Sequence, residues 1–229
     1  MVALLTLSHG SRHPRARAGV RALTSAAAQQ LGVPWLDAHL DFDQPNLENA
    51  ARELAARGED RAIVVPLLFT QAFHAKNDVP AHMRAAAEFL PLTRAASIGL
   101  GEDLIDVLAA QALADAPPHA HLVVYPVGTS DAVQAARYEG VRRGVEKRTG
   151  RATHLIGATR GGPEALAEQA RNTPTHLLPL FVTDGLLLDT ALAALAPFSE
   201  ATASKPLTTT LADIVAHRFR VALEGASHV

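Results

Sequence analysis

The chain has 229 residues, 48% of them hydrophobic, with a formal net charge of −2 and no cysteine. That length and apolar content suffice for one large or two small α/β domains, and the near-neutral charge gives no reason to expect nucleic acid or an anionic membrane surface as a partner. The missing thiols exclude a disulfide framework, zinc–thiolate or iron–sulfur ligation and a cysteine nucleophile, so any metal must be held by histidine, carboxylate or backbone oxygen.

Val2–Ser8 is a short apolar run expected to form the first strand. It lacks the basic leader of a signal peptide, and no run in the chain approaches the roughly 20 apolar residues of a membrane helix, so a cytoplasmic protein is expected. His9-Gly10-Ser11-Arg12 follows, then Pro14 and an Ala/Arg/Leu-rich helix to about Leu31. Gly10 permits a sharp turn that presents His9 at the carboxyl edge of the sheet. After Gly32-Val33-Pro34, Trp35–Phe42 reads as a second strand in which Asp37, His39 and Asp41 alternate with apolar residues, and a helix starts at Pro45-Asn46. Ile63–Phe69 is nearly unbroken apolar, the mark of a strand buried on both faces of a parallel sheet. His74, Lys76, Asn77 and Asp78 come next, before a helix opened by Val79-Pro80. His74 is therefore expected on a loop at a strand's carboxyl end, where open α/β sheets place ligands. Leu92–Ile98 and Asp103–Leu113 complete a fourth strand and helix.

Ala116-Pro117-Pro118 is the expected boundary, giving an N-terminal half 1–116 and a C-terminal half 117–229. Beyond it the pattern restarts: strands at His121–Pro126, Thr153–Ile156, Thr175–Val182 and Leu207–Thr210, with helices between and after them. Two local matches recur in order, LSHGS with PVGTS (Gly10 over Gly128) and VPLLFT with LPLFVT. Together they indicate an internal duplication. The expected fold is α/β: two similar halves, each a four-stranded parallel sheet flanked by helices, with an active-site cleft between them. The alignment sets Val127 over His9 and Leu187 over His74, so the second copy is read as degenerate; the duplication is compatible with a monomer and leaves the oligomeric state open.

His9 and His74 each follow a strand on the same predicted edge, and two imidazoles with a nearby carboxylate suit a divalent first-row metal. Asp41 is the carboxylate best placed, with Asp37 and Asp43 as rivals on spacing. A surface histidine or one bonded to a backbone carbonyl is the competing reading for each. Walker A, G-x-G-x-x-G, G-x-S-x-G and H-E-x-x-H patterns are absent, which removes the usual nucleotide sites, serine hydrolases and zinc proteases. His119, His121, His154, His176 and His217 look like amino-edge or surface residues rather than ligands.

The HGSR after the first strand, the LD…P…L segment Leu40–Leu47, and FHAKNDVP after VVPLLF resemble the CbiX/SirB family of sirohydrochlorin chelatases. The resemblance covers about residues 1–115 directly and the rest through the repeated architecture. Asp41 falls where the family has an acidic residue, commonly Glu, and Ala72 where it commonly has Gly. The resemblance implies an enzyme, a metal chelatase of the lyase class, that inserts Fe2+ or Co2+ into a tetrapyrrole on the way to sirohaem or cobalamin. It implies His9, His74 and Asp41 as catalytic residues, His9 and His74 as metal-handling residues, and Gly10, Ser11, Arg12 and Lys76 as substrate-binding residues. No permanently bound cofactor is implied; the divalent metal (Fe2+, Co2+ or Ni2+) is a substrate. Two alternatives use the same residues: a non-enzymatic metal or tetrapyrrole carrier, and phosphoryl transfer through His9 at a helix N-terminus.

Overall fold

The computed structural model describes residues 1–70, 78–159 and 161–226; His74, Lys76 and Ala72 lie outside them. The described chain alternates strand and helix: β1 Val2–Ser8, α1 Ala16–Leu31, β2 Trp35–His39, α2 Leu47–Ala56, β3 Arg61–Pro66, α3 Asp78–Ala86, β4 Leu92–Arg94 and α4 Glu102–Asp115. There follow β5 His121–Tyr125, α5 Ala132–Thr149, β6 Thr153–Leu155, α6 Gly162–Asn172, β7 Thr175–Pro179, α7 Leu186–Leu195, β8 Ala201–Ala203, a 3-10 turn Thr208–Leu211 and α8 Ala212–Ala226. Every described strand pairing is parallel, in the orders β2-β1-β3-β4 and β6-β5-β7-β8. The second sheet thus repeats the topology of the first, as the duplicated sequence pattern requires. No described helix is long and apolar enough to cross a membrane.

The chain divides into two compact units, Met1–Gly99 with the segment from Thr208, and Leu100–Leu207. Sequence places the repeat boundary at 116/117; packing assigns α4 to the second sheet and returns α8 to the first. Arg218 on α8 donates to the carbonyls of Ser97 (3.1 Å) and Ile98 (2.9 Å). In the second unit Arg148 of α5 pairs with Glu102 and Asp106 of α4.

In the first unit the period of two in β1 sorts its residues between two layers. Ala3, Leu5 and Leu7 join Leu47, Ala50, Ala51 and Leu54 of α2 and Val79 and Ala86 of α3 in one apolar cluster. The other face turns to α1 and carries polar groups: Thr6 Oγ1 bonds Thr24 Oγ1 of α1 at 2.6 Å, and Ser8, Asp37 and His39 share that side, all buried. The alternation of Asp37 and His39 with apolar residues is that of a half-exposed strand; here the polar side is covered, with Asp37 and His39 in contact at 3.3 Å. In the second unit Val123, Tyr125, Leu166, Leu177, Leu188, Ala191 and Leu195 form the corresponding cluster.

The one strand misplaced by sequence is the last. Leu207–Thr210 is expected extended, but the edge strand is Ala201–Ala203, and Thr208–Leu211 coils. A short edge strand of Ala and Thr offers no apolar run to detect.

His176 at the start of β7 is 1% exposed. Ser204 donates to Asp115 (2.7 Å) and so accepts from His176 Nε2 at 2.9 Å, while Thr202 faces Nδ1 at 2.7 Å. The neutral ring is fully satisfied, and burial lowers its pKa from 6.5 to about 4, outweighing the pull of Asp115. Because the folded pKa lies below the unfolded one, the unfolded chain takes up the proton first. Stability is full above pH 6.5 and falls as the pH drops toward 4, by on the order of 3 kcal/mol at this site. His176→Gln should therefore flatten the pH dependence of the melting temperature between pH 6.5 and 4 relative to the parent; parallel curves would remove His176 as the cause.

Candidate active site

The ladder of the first sheet does not stop where its strands end. Leu40 N donates to Ser8 O and Asp41 N to His9 O, both at 2.9 Å, continuing the β1–β2 pairing past the carboxyl edge. His9 and Asp41 are thereby fixed side by side, with Nδ1 of the ring 3.9 Å from Oδ2 of the carboxylate. Gly10 makes this approach possible. Its φ is +89°, and a Cβ there would lie 1.7 Å from Asp41 O, so any other residue meets both an unfavourable backbone region and a main-chain clash.

The β2–α2 loop is pinned further. Ser11 N donates to Asp43 Oδ2 at 3.0 Å, Asp43 N to Asp41 O at 2.8 Å, and His39 N to Pro45 O at 3.0 Å. Asn46 caps α2 by accepting from Asn49 N at 2.8 Å. The side chains of His9 and Asp41 are 43% and 55% exposed, so this pair is open to solvent. Arg12 extends over the ring of Phe42, 4.9 Å from its centroid. The His9 ring meets Phe42 at 6.0 Å in an edge arrangement.

Of the three carboxylates that spacing leaves open, only Asp41 faces His9. Asp43 is occupied by the Ser11 amide. Asp37 is buried, 3.3 Å from His39 Nε2; burial pushes its carboxyl pKa up, but the contact with His39, helped by Arg21, holds it below the usual value. His39 Nδ1 in turn lies 2.7 Å from Ser8 Oγ, which accepts from Gly10 N at 3.2 Å. With Asp37 ionised and Nε2 carrying the proton, Ser8 donates to Nδ1, and the buried chain ends on the amide that follows His9. Sequence reasoning did not find this chain. Its signal was the polar i, i+2 pair Asp37/His39 opposite Ser8 in parallel register. It also took Phe42 for the end of a strand, whereas Phe42 is exposed in a left-handed conformation, φ 64°.

His74 and Lys76 fall outside the described residues. The described chain leaves β3 with Pro66 paired to Leu7 and Leu67 N donating to Leu7 O at 2.8 Å, on the edge that carries His9. Among the described residues no group of three or more His, Asp or Glu side chains could hold a metal ion.

The second unit repeats the turn without the imidazole and the carboxylate. Ala158 N donates to Pro126 O (2.9 Å) and Thr159 N to Val127 O (3.0 Å), and Gly128 has φ +97°. Val127 thus occupies the position of His9, and Thr159 that of Asp41. His121 and His154 pair through Nδ1 and Nε2 at 3.2 Å; His121 opens β5, His154 is the middle residue of β6 and His176 the second of β7, while His119 and His217 are exposed.

The chain resembles known proteins in sequence and in fold. The sequence profile of the CbiX family matches residues 3–143. A sirohydrochlorin cobaltochelatase of Sulfolobus acidocaldarius is 28% identical over 113 residues, covering 49% of this chain and 90% of that protein. A sirohydrochlorin ferrochelatase of Bacillus subtilis is 29% identical over 107 residues, 45% of this chain and 41% of that protein. Among solved structures, SirB from Bacillus subtilis with Fe3+ superposes with a TM-score of 0.78 at 20% identity, over 99% of this chain and 97% of that one. The cobalt complex of SirB from Bacillus subtilis subspecies spizizenii gives 0.79 at 19% identity, with the same coverage. At such identities the structures speak for the fold.

Gly10→Ala should destabilise the protein by on the order of 3 kcal/mol, combining left-handed strain with displacement of Asp41; a denaturant titration measures it. Ser8→Ala strands the Gly10 amide and His39 Nδ1, and should cost about 1–3 kcal/mol by the same measurement. A neutral Ser8→Ala would mean that the buried chain does not support the turn.

Proposed function

The chain belongs to the CbiX family, and from that premise we propose that it is a sirohydrochlorin chelatase, inserting Fe2+ or Co2+ into the tetrapyrrole in the cytoplasm, for sirohaem or a cobalamin precursor. The observation that carries this reading is the His9–Asp41 pair, held beside the turn of Gly10 at the carboxyl edge of the first sheet and open to solvent.

Metal insertion requires that pyrrole protons leave and a metal ion arrive on one face of a planar ring. Neutral His9 offers a nitrogen lone pair for either task, as a transient metal ligand or a proton acceptor. Asp41, 3.9 Å away, would stabilise the imidazolium or add an oxygen to the arriving cation. His74 is proposed as the second metal-handling histidine, from the family motif it occupies. An enzyme that must release its metal is served by an exposed, incomplete ligand set rather than a closed four-ligand one. Arg12 and Lys76 are assigned to the peripheral carboxylates of the substrate, with the Gly10 and Ser11 backbone shaping the turn beneath it. The Ser11 amide already binds Asp43, so the support it gives is to the loop.

A carrier would use the same groups without turnover, and absorbance separates the two. Sirohydrochlorin with substoichiometric protein and Fe2+, Co2+ or Ni2+ should show a catalytic spectral change; a shift that stops at one equivalent would mean a carrier. His9→Ala and His74→Ala should each lower kcat by about 100-fold or more, the scale of lost acid–base or ligand chemistry, and Asp41→Asn by less. Near-parental turnover in either histidine variant would overturn the paired-histidine mechanism.

A further inference from the structure

Among the described residues the Phe42 side chain touches the rings and cations of the candidate site rather than an apolar core cluster. The loop around it is fixed by other groups: Asp41 N to His9 O, Asp43 N to Asp41 O, and Asp43 Oδ2 to Ser11 N. Its ring fills no core and is 58% exposed. Its backbone lies at φ 64°, a region that a bulky L-residue avoids and that Gly or Asn would occupy at less cost. Exposure of a large apolar ring and an unfavourable backbone both oppose stability, and such combinations persist where a ligand is bound. The surroundings say what kind of ligand. The His9 ring is set edgewise to it, 6.0 Å between centroids, and the Arg12 guanidinium lies 4.9 Å from its centroid. An apolar ring with a cation over one face, next to the proposed proton acceptor, complements a flat conjugated body with carboxylates at its periphery.

We infer that Phe42 is a substrate-contacting residue, packing against the plane of the tetrapyrrole while Arg12 meets a peripheral carboxylate. This rests on the chelatase reading and adds to it the surface that holds the macrocycle over His9. Aromatic contact to a conjugated ring system is sequence-tolerant chemistry of known strength, and it does not require the metal.

The test is equilibrium titration of sirohydrochlorin into metal-free protein, followed by absorbance, with thermal melting in parallel. Phe42→Gly should raise Kd for sirohydrochlorin at least about tenfold, as expected for loss of one stacking contact, while the melting temperature does not fall, because glycine relieves the left-handed backbone. Phe42→Trp should bind as tightly as the parent. Equal binding by Phe42→Gly and the parent overturns the inference. So does a melting temperature that falls together with affinity, since Phe42 is then structural. A drop in kcat at unchanged Kd also overturns it, because Phe42 would then act only by orienting His9. If the parent protein itself does not bind sirohydrochlorin, the chelatase reading fails first, an outcome distinct from these three.

Discussion

Two backbone hydrogen bonds beyond the end of a strand pair carry the candidate site: Leu40 N to Ser8 O and Asp41 N to His9 O. Strand ends are ordinarily where a ladder gives way to loops with their own conformations. Here the ladder runs on, so that the two candidate side chains inherit the rigidity of the sheet without being buried in it. The cost is steric, because the chain must turn away within one residue of its last bond. Gly10, at φ +89° with the Asp41 carbonyl where a Cβ would stand, is what makes the continuation possible.

Beneath the turn lies a second constraint. Asp37, His39 and Ser8 are all buried, and a buried carboxylate is expensive unless its hydrogen-bonding capacity is matched. The chain from Asp37 through His39 and Ser8 to the Gly10 amide sets the carboxylate 3.3 Å from an imidazole nitrogen and ends on the peptide that follows His9. A polar layer of this kind contributes little net stability compared with apolar packing, but it allows one arrangement where a greasy interface would allow several. That suits a residue whose ring must point one way while standing in solvent.

The two units share the architecture and differ at the candidate site. Both keep the strand order, the left-handed glycine after the first strand and the pair of hydrogen bonds past the edge. Only the first has an imidazole and a carboxylate there; the second has Val127 and Thr159. No described histidine of the second unit lies past the carboxyl end of a strand. His176 is enclosed by Thr202, Ser204 and Asp115 and serves packing.

Sequence alone determined the alternation of strand and helix, the parallel class and the repeat, because apolar runs of strand length and helical periodicity are local properties that burial imposes directly. It also picked out His9, Gly10 and Asp41, since a polar residue just past an apolar strand has few structural reasons to be there. What it could not decide were matters of register and packing partner. Asp37, Asp41 and Asp43 are equivalent on spacing; only the pairing of β1 with β2 shows that Asp37 turns inward to His39, Asp43 to the Ser11 amide and Asp41 to His9. The association of α4 with the second sheet and of α8 with the first rests on contacts such as Arg218 to Ser97 and Ile98, more than a hundred residues away in sequence. The edge strand Ala201–Ala203 has no apolar signature, and Phe42 takes its left-handed backbone from bonds made by its neighbours. Long-range contacts set each of these, and no local pattern encodes them.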